Sequence, residues 1–406
     1  MTLDPQTAEE VPLAAEATAW HRRRGLLFLA LAAALLGFAF SVQMGANPSF
    51  VADEMKLSGA QQGVLEAWRE SCGIVALVVL ALLAGFAEPL VAAGMLVLVG
   101  VGLGSYAFVP DYFWLVAASL VWSQGLHVWM PLPNSMALAL AEPGRAGHRV
   151  GQVRAAGAAG AGLGLLVALA LSHLGVTIRP LFLVAGAAAL LAAAACTGIP
   201  RQIKTPGPRL VFMRKYGLYY LLSFLEGWRK QIFVAFAGFL LVKHHGVPLT
   251  TMLLLAMAFQ AIIWIASPLV GRLIDRLGER PVLVFYFAGL TLCFVGYATI
   301  RHRAVLCGLY VVDSAFFVFA MALTTYVNKI APPAERTPTL SMGVAFNHVA
   351  AVIMPLVGGL LWKYAGYQWV FIMGAAAAAL SIIPALCLPK HVRAGRASPG
   401  ASHPGR

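Results

Sequence analysis

Twelve stretches, each long and apolar enough to cross a bilayer, follow one another along this chain with only short connectors between them. A spanning helix needs about 20 apolar residues for a hydrocarbon core of about 30 Å, and inside lipid its backbone groups must be satisfied within the segment. The stretches run approximately 25–47, 58–85, 90–109, 112–140, 150–174, 178–199, 216–243, 249–271, 281–300, 304–329, 339–363 and 367–389. They predict an all-α membrane protein and use up nearly the whole length, leaving no room for a sizeable soluble domain. The charged fraction agrees, at 11%, where soluble domains carry about 25%.

A net charge of +13 would suit nucleic acid in a soluble protein, but here the basic residues lie between apolar stretches. They lack the interleaved stacking aromatics of a nucleic-acid groove, so no nucleic-acid partner is expected. Their distribution instead sets an orientation. Nineteen of the 29 Lys and Arg fall on the side of the termini, six on the opposite side and four within spans. Positive residues are retained on the cytoplasmic side, so both termini are expected there, in a multi-pass protein of the cell membrane. Arg301 and Arg303 are local exceptions.

Residues 1–20 are polar and acidic, without a signal peptide's basic start, and residues 391–406 are rich in Gly, Pro, Ser and Arg; both read as disordered tails. The longest connector, 200–215, carries Arg201, Lys204, Arg209, Arg214, Lys215 and three prolines. It is expected to be a basic cytoplasmic linker joining six-helix bundles over 21–199 and 216–390. The halves carry traces of each other. A shift of about 190 residues lays Ala141-Glu142-Pro143 over Ala331-Pro332-Pro333, Gly151 near Gly343, and His173-Leu174-Gly175 near Tyr364-Ala365-Gly366, the footprint of a duplicated bundle.

The five cysteines form no CxxC and the ten histidines no HExxH, so neither metal nor cofactor is expected; the adjacent His244-His245 falls in a connector. An intramembrane enzyme would need a nucleophile set such as GxSxG, and nucleotide drive a GxxxxGKS/T loop; neither pattern occurs.

Charges inside the apolar stretches bear most on function. Each costs about 2.5 to 3.5 kcal/mol on insertion scales and so faces a cavity or a partner. The second stretch holds Glu66, Arg69 and Glu70, the seventh Glu226, Arg229 and Lys230. The spacing i, i+3, i+4 puts each set on one helical face near mid-depth. Their net signs are opposite, so the two helices are expected to pair across the halves, either as a static ion-pair network or around a charged substrate or proton.

Asp313 stands alone among apolar residues of the tenth stretch. Desolvation favours the protonated carboxyl there, which suits a proton carrier; the competing reading is a carboxylate satisfied by an internal hydrogen-bond network. His127, Asn347 and His348 are also near mid-depth, and a membrane histidine titrates near neutrality. Arg154 is as able to snorkel to the inner interface as to touch substrate. Trp68, Trp122, Trp129, Trp228 and Trp264 read as interior, as cavity wall or plain packing.

After the eighth stretch the chain reads Gly271-Arg272-Leu273-Ile274-Asp275-Arg276-Leu277-Gly278-Glu279-Arg280. This resembles the inner-loop signature of the major facilitator superfamily, Gly-x-x-x-Asp-Arg-x-Gly followed by two basic residues. With twelve spans, a basic central loop and inside termini, the resemblance covers essentially the whole chain. It implies two pseudo-symmetric six-helix bundles around a central cavity, in a monomer that moves a small molecule by alternating access, coupled to protons. It also implies an inner-gate latch at Gly271, Asp275, Arg276, Gly278 and Arg280. Locally, Gly271 would permit close helix approach, Gly278 a tight turn, and Asp275 charge-assisted bonds. The family's first, fourth, seventh and tenth helices line the cavity, which adds Gln43, Asn47 and Gln124 to His127.

Three places depart from the family pattern. The first-half loop Gly85-Phe86-Ala87-Glu88-Pro89 lacks Asp-Arg, and Val121 stands where many members have an arginine before Gln124-Gly125. Glycines 157, 160, 162 and 164 resemble the exporters' motif without its proline, and close packing explains them as well. Arg229 beside Lys230 points to a small organic anion such as a carboxylate. A proton-driven exporter of amphiphilic or drug-like compounds is the runner-up, and a non-transporting scaffold or sensor the third reading.

Overall fold

All twelve apolar stretches are helical in the computed structural model, which describes residues 19–205 and 211–389. In chain order the helices are α1 (Ala19–Ser49), α2 (Gly59–Leu82), α3 (Glu88–Ser105), α4 (Tyr112–Trp129), α5 (Leu132–Leu140), α6 (Ala146–His173), α7 (Ile178–Cys196), α8 (Gly217–Ile232), α9 (Gly238–Lys243), α10 (Leu249–Leu277), α11 (Glu279–Thr299), α12 (Arg303–Phe316), α13 (Met321–Ile330), α14 (Pro333–Tyr364) and α15 (Tyr367–Leu386). Residues 1–18 and 391–406 of the expected tails, and Arg209 of the linker, lie outside the described residues.

Among the described residues, nine helices are long and apolar enough to cross a membrane. The other three predicted stretches are those with polar or broken interiors. The second carries Glu66, Arg69 and Glu70; the fourth divides at Met130 and Pro131; the seventh holds Glu226, Arg229 and Lys230 and widens into a π turn over Phe233–Ala237. Exposed apolar side chains such as Leu31, Val78, Val101, Leu191, Ile265 and Leu292 give outward faces suited to lipid. Elements recur at an offset of about 190 residues, α2 with α10, α3 with α11, α4 and α5 with α12 and α13, α6 with α14, and α7 with α15.

The chain forms two compact units, Met1–Ala46 with Val75–Pro208, and Asn47–Ile74 with Arg209–Arg406. The second therefore takes in the end of α1 and most of α2, which the division at the linker alone had placed in the first half. In the first unit, α6 lies close on α1. A Cβ added at Gly164 would sit 2.9 Å from Phe38 Cα, whereas one at Gly162 meets nothing within 4 Å. At Gly164, the exporter-like run thus serves packing. In the first turn of α6, Arg149 bonds Glu142 at 2.5 and 2.8 Å and holds that carboxyl down to about 2.

In the second unit, α2 lies as closely on α14. A Cβ at Gly63 would sit 2.9 Å from Gly359 Cα. Gly63→Val is therefore expected to destabilise the protein by roughly 1–3 kcal/mol through overpacking. Thermal unfolding in detergent checks this, with Gly94→Val, whose Cβ meets nothing within 4 Å, as the variant that should melt like the parent.

Candidate functional site

Glu226 is the hub of a buried polar network in the second unit. Its Oε1 accepts from Arg229 Nη2 at 2.9 Å and from Tyr286 Oη at 3.3 Å, and its Oε2 from Asn347 Nδ2 at 2.8 Å. Asn347 also donates to Ser223 O at 3.2 Å and accepts from Lys230 Nζ at 2.8 Å. The spacing that put Glu226, Arg229 and Lys230 on one face of α8 makes this possible. Gly227 lets α14 approach, since a Cβ there would lie 2.6 Å from Asn347 O.

Arg229 is wholly buried, with its guanidinium 4.7 Å from the Phe317 ring centroid and 5.1 Å from that of Tyr286, to whose hydroxyl it donates. Its Nη1 lies 4.0 Å from Asp313 Oδ1, too far for a hydrogen bond. Asp313 is itself fully buried, and neither carboxyl oxygen has a hydrogen-bond partner among the described residues. The two carboxyls beside Arg229 are thus unequal: Glu226 is held by three donors, Asp313 by none. An ionised carboxylate without donors is costly in such an interior.

The α2 charges form a second cluster in the same unit. Arg69 Nη1 pairs with Glu66 Oε1 at 2.6 Å, and Glu70 Oε2 lies 3.3 Å from His348 Nδ1 on α14. Gln62 Nε2 donates to Glu66 Oε1 at 3.3 Å and to Ala235 O at 3.0 Å. Ala235 sits in the π turn, whose wide hydrogen-bonding pattern frees carbonyls. Within each charge set an ion pair forms along the helix itself. Each arginine bonds the glutamate three residues before it, a partner already on its own face.

In the first unit, His127 Nδ1 lies 2.8 Å from Ser123 O of its own helix, Gln43 is fully buried, Gln124 half-buried, and Arg154 exposed on α6. Asn47 is buried in the second unit. Trp122 and Trp129 are buried as expected, but Trp68 and Trp264 are 52% and 61% exposed, because each lies on a helix face that the chain itself leaves uncovered.

In the signature loop, Gly278 has φ +83° and turns the chain between α10 and α11. Gly271 makes no close approach, since a Cβ there meets nothing within 4 Å. Asp275 and Arg276 are exposed, and Arg280 Nη1 donates to Leu388 O at 3.5 Å. The buried contact is instead Glu279, whose Oε1 pairs with Lys329 Nζ of α13 at 2.7 Å. Glu279 stands where the signature has a basic residue, a departure visible in the sequence. Tyr286 left no such signal, being one tyrosine in an apolar helix.

The sequence profile described as Major Facilitator Superfamily matches residues 219–404. A probable vesicular acetylcholine transporter-A of Danio rerio is 30% identical over 118 residues, 27% of this chain and 21% of that protein; the match spans about a fifth of that relative's length. The solved structure of the nucleoside transporter NupG aligns with TM-score 0.73 at 16% identity, over 89% of this chain and 99% of that one. That of a D-xylose-proton symporter aligns with TM-score 0.68 at 16% identity, over 89% and 97%. The superfamily profile thus lies on the second half of the chain, and the fold of these transporters extends over nearly nine-tenths of its length.

Proposed function

We propose that this protein is a secondary active transporter that carries a small organic solute across the cell membrane by alternating access, coupled to protons, as a monomer with both termini in the cytoplasm. The moving parts on this reading are the bundles 21–199 and 216–390, joined by the linker 200–215. The observation that carries it is the arrangement around Arg229: Glu226 fully hydrogen-bonded and Asp313 buried without a donor. A charge network of this kind inside a span is expensive and marks a working site. Asp313 takes up and releases the proton, and Glu226 remains the standing counter-ion of Arg229. A relative in fold is named for proton symport.

For the substrate, the pairing of the arginines inside the second unit favours a small organic cation or amphiphile. Arg69 is already engaged by Glu66 and Arg229 by Glu226. An organic anion would have to be held by Lys230 alone. The match to an acetylcholine transporter, named for a quaternary ammonium, leans the same way.

The test is a thermal-stabilisation screen of the purified protein against organic cations, amphiphiles, carboxylates, sugars and nucleosides. A specific binder at 100 times its Kd stabilises by about 2.7 kcal/mol. The expected result is stabilisation by a cation or amphiphile that Lys230→Ala leaves intact. Carboxylates that stabilise the parent and fail with Lys230→Ala would overturn the cation assignment in favour of the anion.

A further inference from the structure

The first-half inner loop lacks the signature's Asp-Arg, yet it is firmly held. Residues 203–205 of the linker run antiparallel to residues 85–88, with Ala87 and Lys204 as the bridging pair. Thr205 N donates to Phe86 O at 2.9 Å, Gly85 N to Thr205 O at 3.0 Å and Glu88 N to Ile203 O at 2.8 Å, while Thr205 Oγ1 reaches Phe86 O at 3.3 Å. Ile203 and Thr205 are buried, and Gln202 and Lys204 exposed, the alternation of a strand. Pro206 follows Thr205 and restricts it to extended backbone.

The clasp also serves α3. Glu88 is its first residue, so its N–H is one of the helix-end donors that have no partner within the helix. The Glu88 side chain is buried and accepts from Ser135 Oγ of α5 at 3.0 Å. Loop, α3, α5 and linker are thereby joined at one point. At the corresponding place in the second half, side chains make the tie, through Glu279 of α11 and Lys329 of α13.

We infer that residues 203–205 are the inner latch of the first half, a backbone clasp that replaces the missing Asp-Arg pair and stays closed through the working cycle. Only the chain beyond Thr205 then acts as tether. The working-cycle part rests on the transport reading above; the clasp itself is measured without it.

Hydrogen exchange on the full-length protein in lipid nanodiscs should show the amides of Gly85, Glu88 and Thr205 slower by at least about 100-fold than that of Gln202. Thr205→Pro removes the central donor. It is expected to free the Gly85 and Glu88 amides and to slow transport of the screened substrate at least about tenfold, with melting nearly unchanged. In that background, Ala87→Cys with Lys204→Cys should restore the rate on oxidation and not under reductant, whereas Lys204→Ala alone should transport like the parent. Rapid exchange at all three amides of the parent overturns the clasp. Protected amides in the parent, freed by Thr205→Pro with undiminished transport, overturn its role as a latch. If the parent itself moves no substrate, the transport reading fails and the latch role with it, while exchange still decides whether the clasp exists.

Discussion

Arg229→Ala is expected to lower stability by about 3–5 kcal/mol, the loss typical of breaking a buried ion pair from one side. Two carboxyls lose their shared cation. Glu226 keeps Tyr286 and Asn347 as donors, but Asp313 is left with no counter-charge in its 4.0 Å shell. The stacking of the guanidinium over Phe317 and Tyr286 contributes less, about 1–2 kcal/mol. The ionic loss therefore dominates, and the double variant Arg229→Ala with Asp313→Asn should recover at least about 1 kcal/mol of it. Thermal unfolding of the four proteins of this cycle reads the coupling directly. Equal melting of parent and Arg229→Ala would show that the network bears no weight.

Asp313→Asn separates proton coupling from substrate movement. The amide is nearly the same shape and cannot exchange a proton, so accumulation driven by a pH gradient should fall by at least about tenfold, a 1.4 kcal/mol effect. Counterflow, which needs no net proton movement, should persist. Stability should hold or rise, because the substitution removes a carboxyl that has no donor. Undiminished accumulation by Asp313→Asn would move the proton site elsewhere, with Glu70 and His348, 3.3 Å apart, as the next pair to substitute.

The helical architecture was legible because apolar length alone dictates it, and the three stretches that depart from plain apolarity are those holding Gln124 and His127, Glu66 to Glu70, and Glu226 to Lys230. The faces of the charge clusters were legible too, since helical period fixes them. Their partners were not. An arginine with a glutamate one turn away on its own helix needs no second helix, and sequence spacing cannot rank that against a distant cation. Tyr286 and Ser223 entered the network through tertiary packing, which leaves no periodic trace. The linker clasp was equally hidden, because an isolated bridge is too short for alternation to stand out among the prolines and basic residues of 200–215. Gly271 misled in the opposite direction: its place in a signature suggested a close approach, and nothing lies within 4 Å of where its side chain would be.

The central claim is that substrate and proton movement are linked through this chain. It is tested most directly with purified protein in liposomes holding a pH-sensitive dye, by adding the substrate found in the thermal screen without any imposed gradient. A substrate-dependent pH change inside the vesicles is expected in the parent and not in Asp313→Asn. Substrate movement with no pH change in the parent would contradict it.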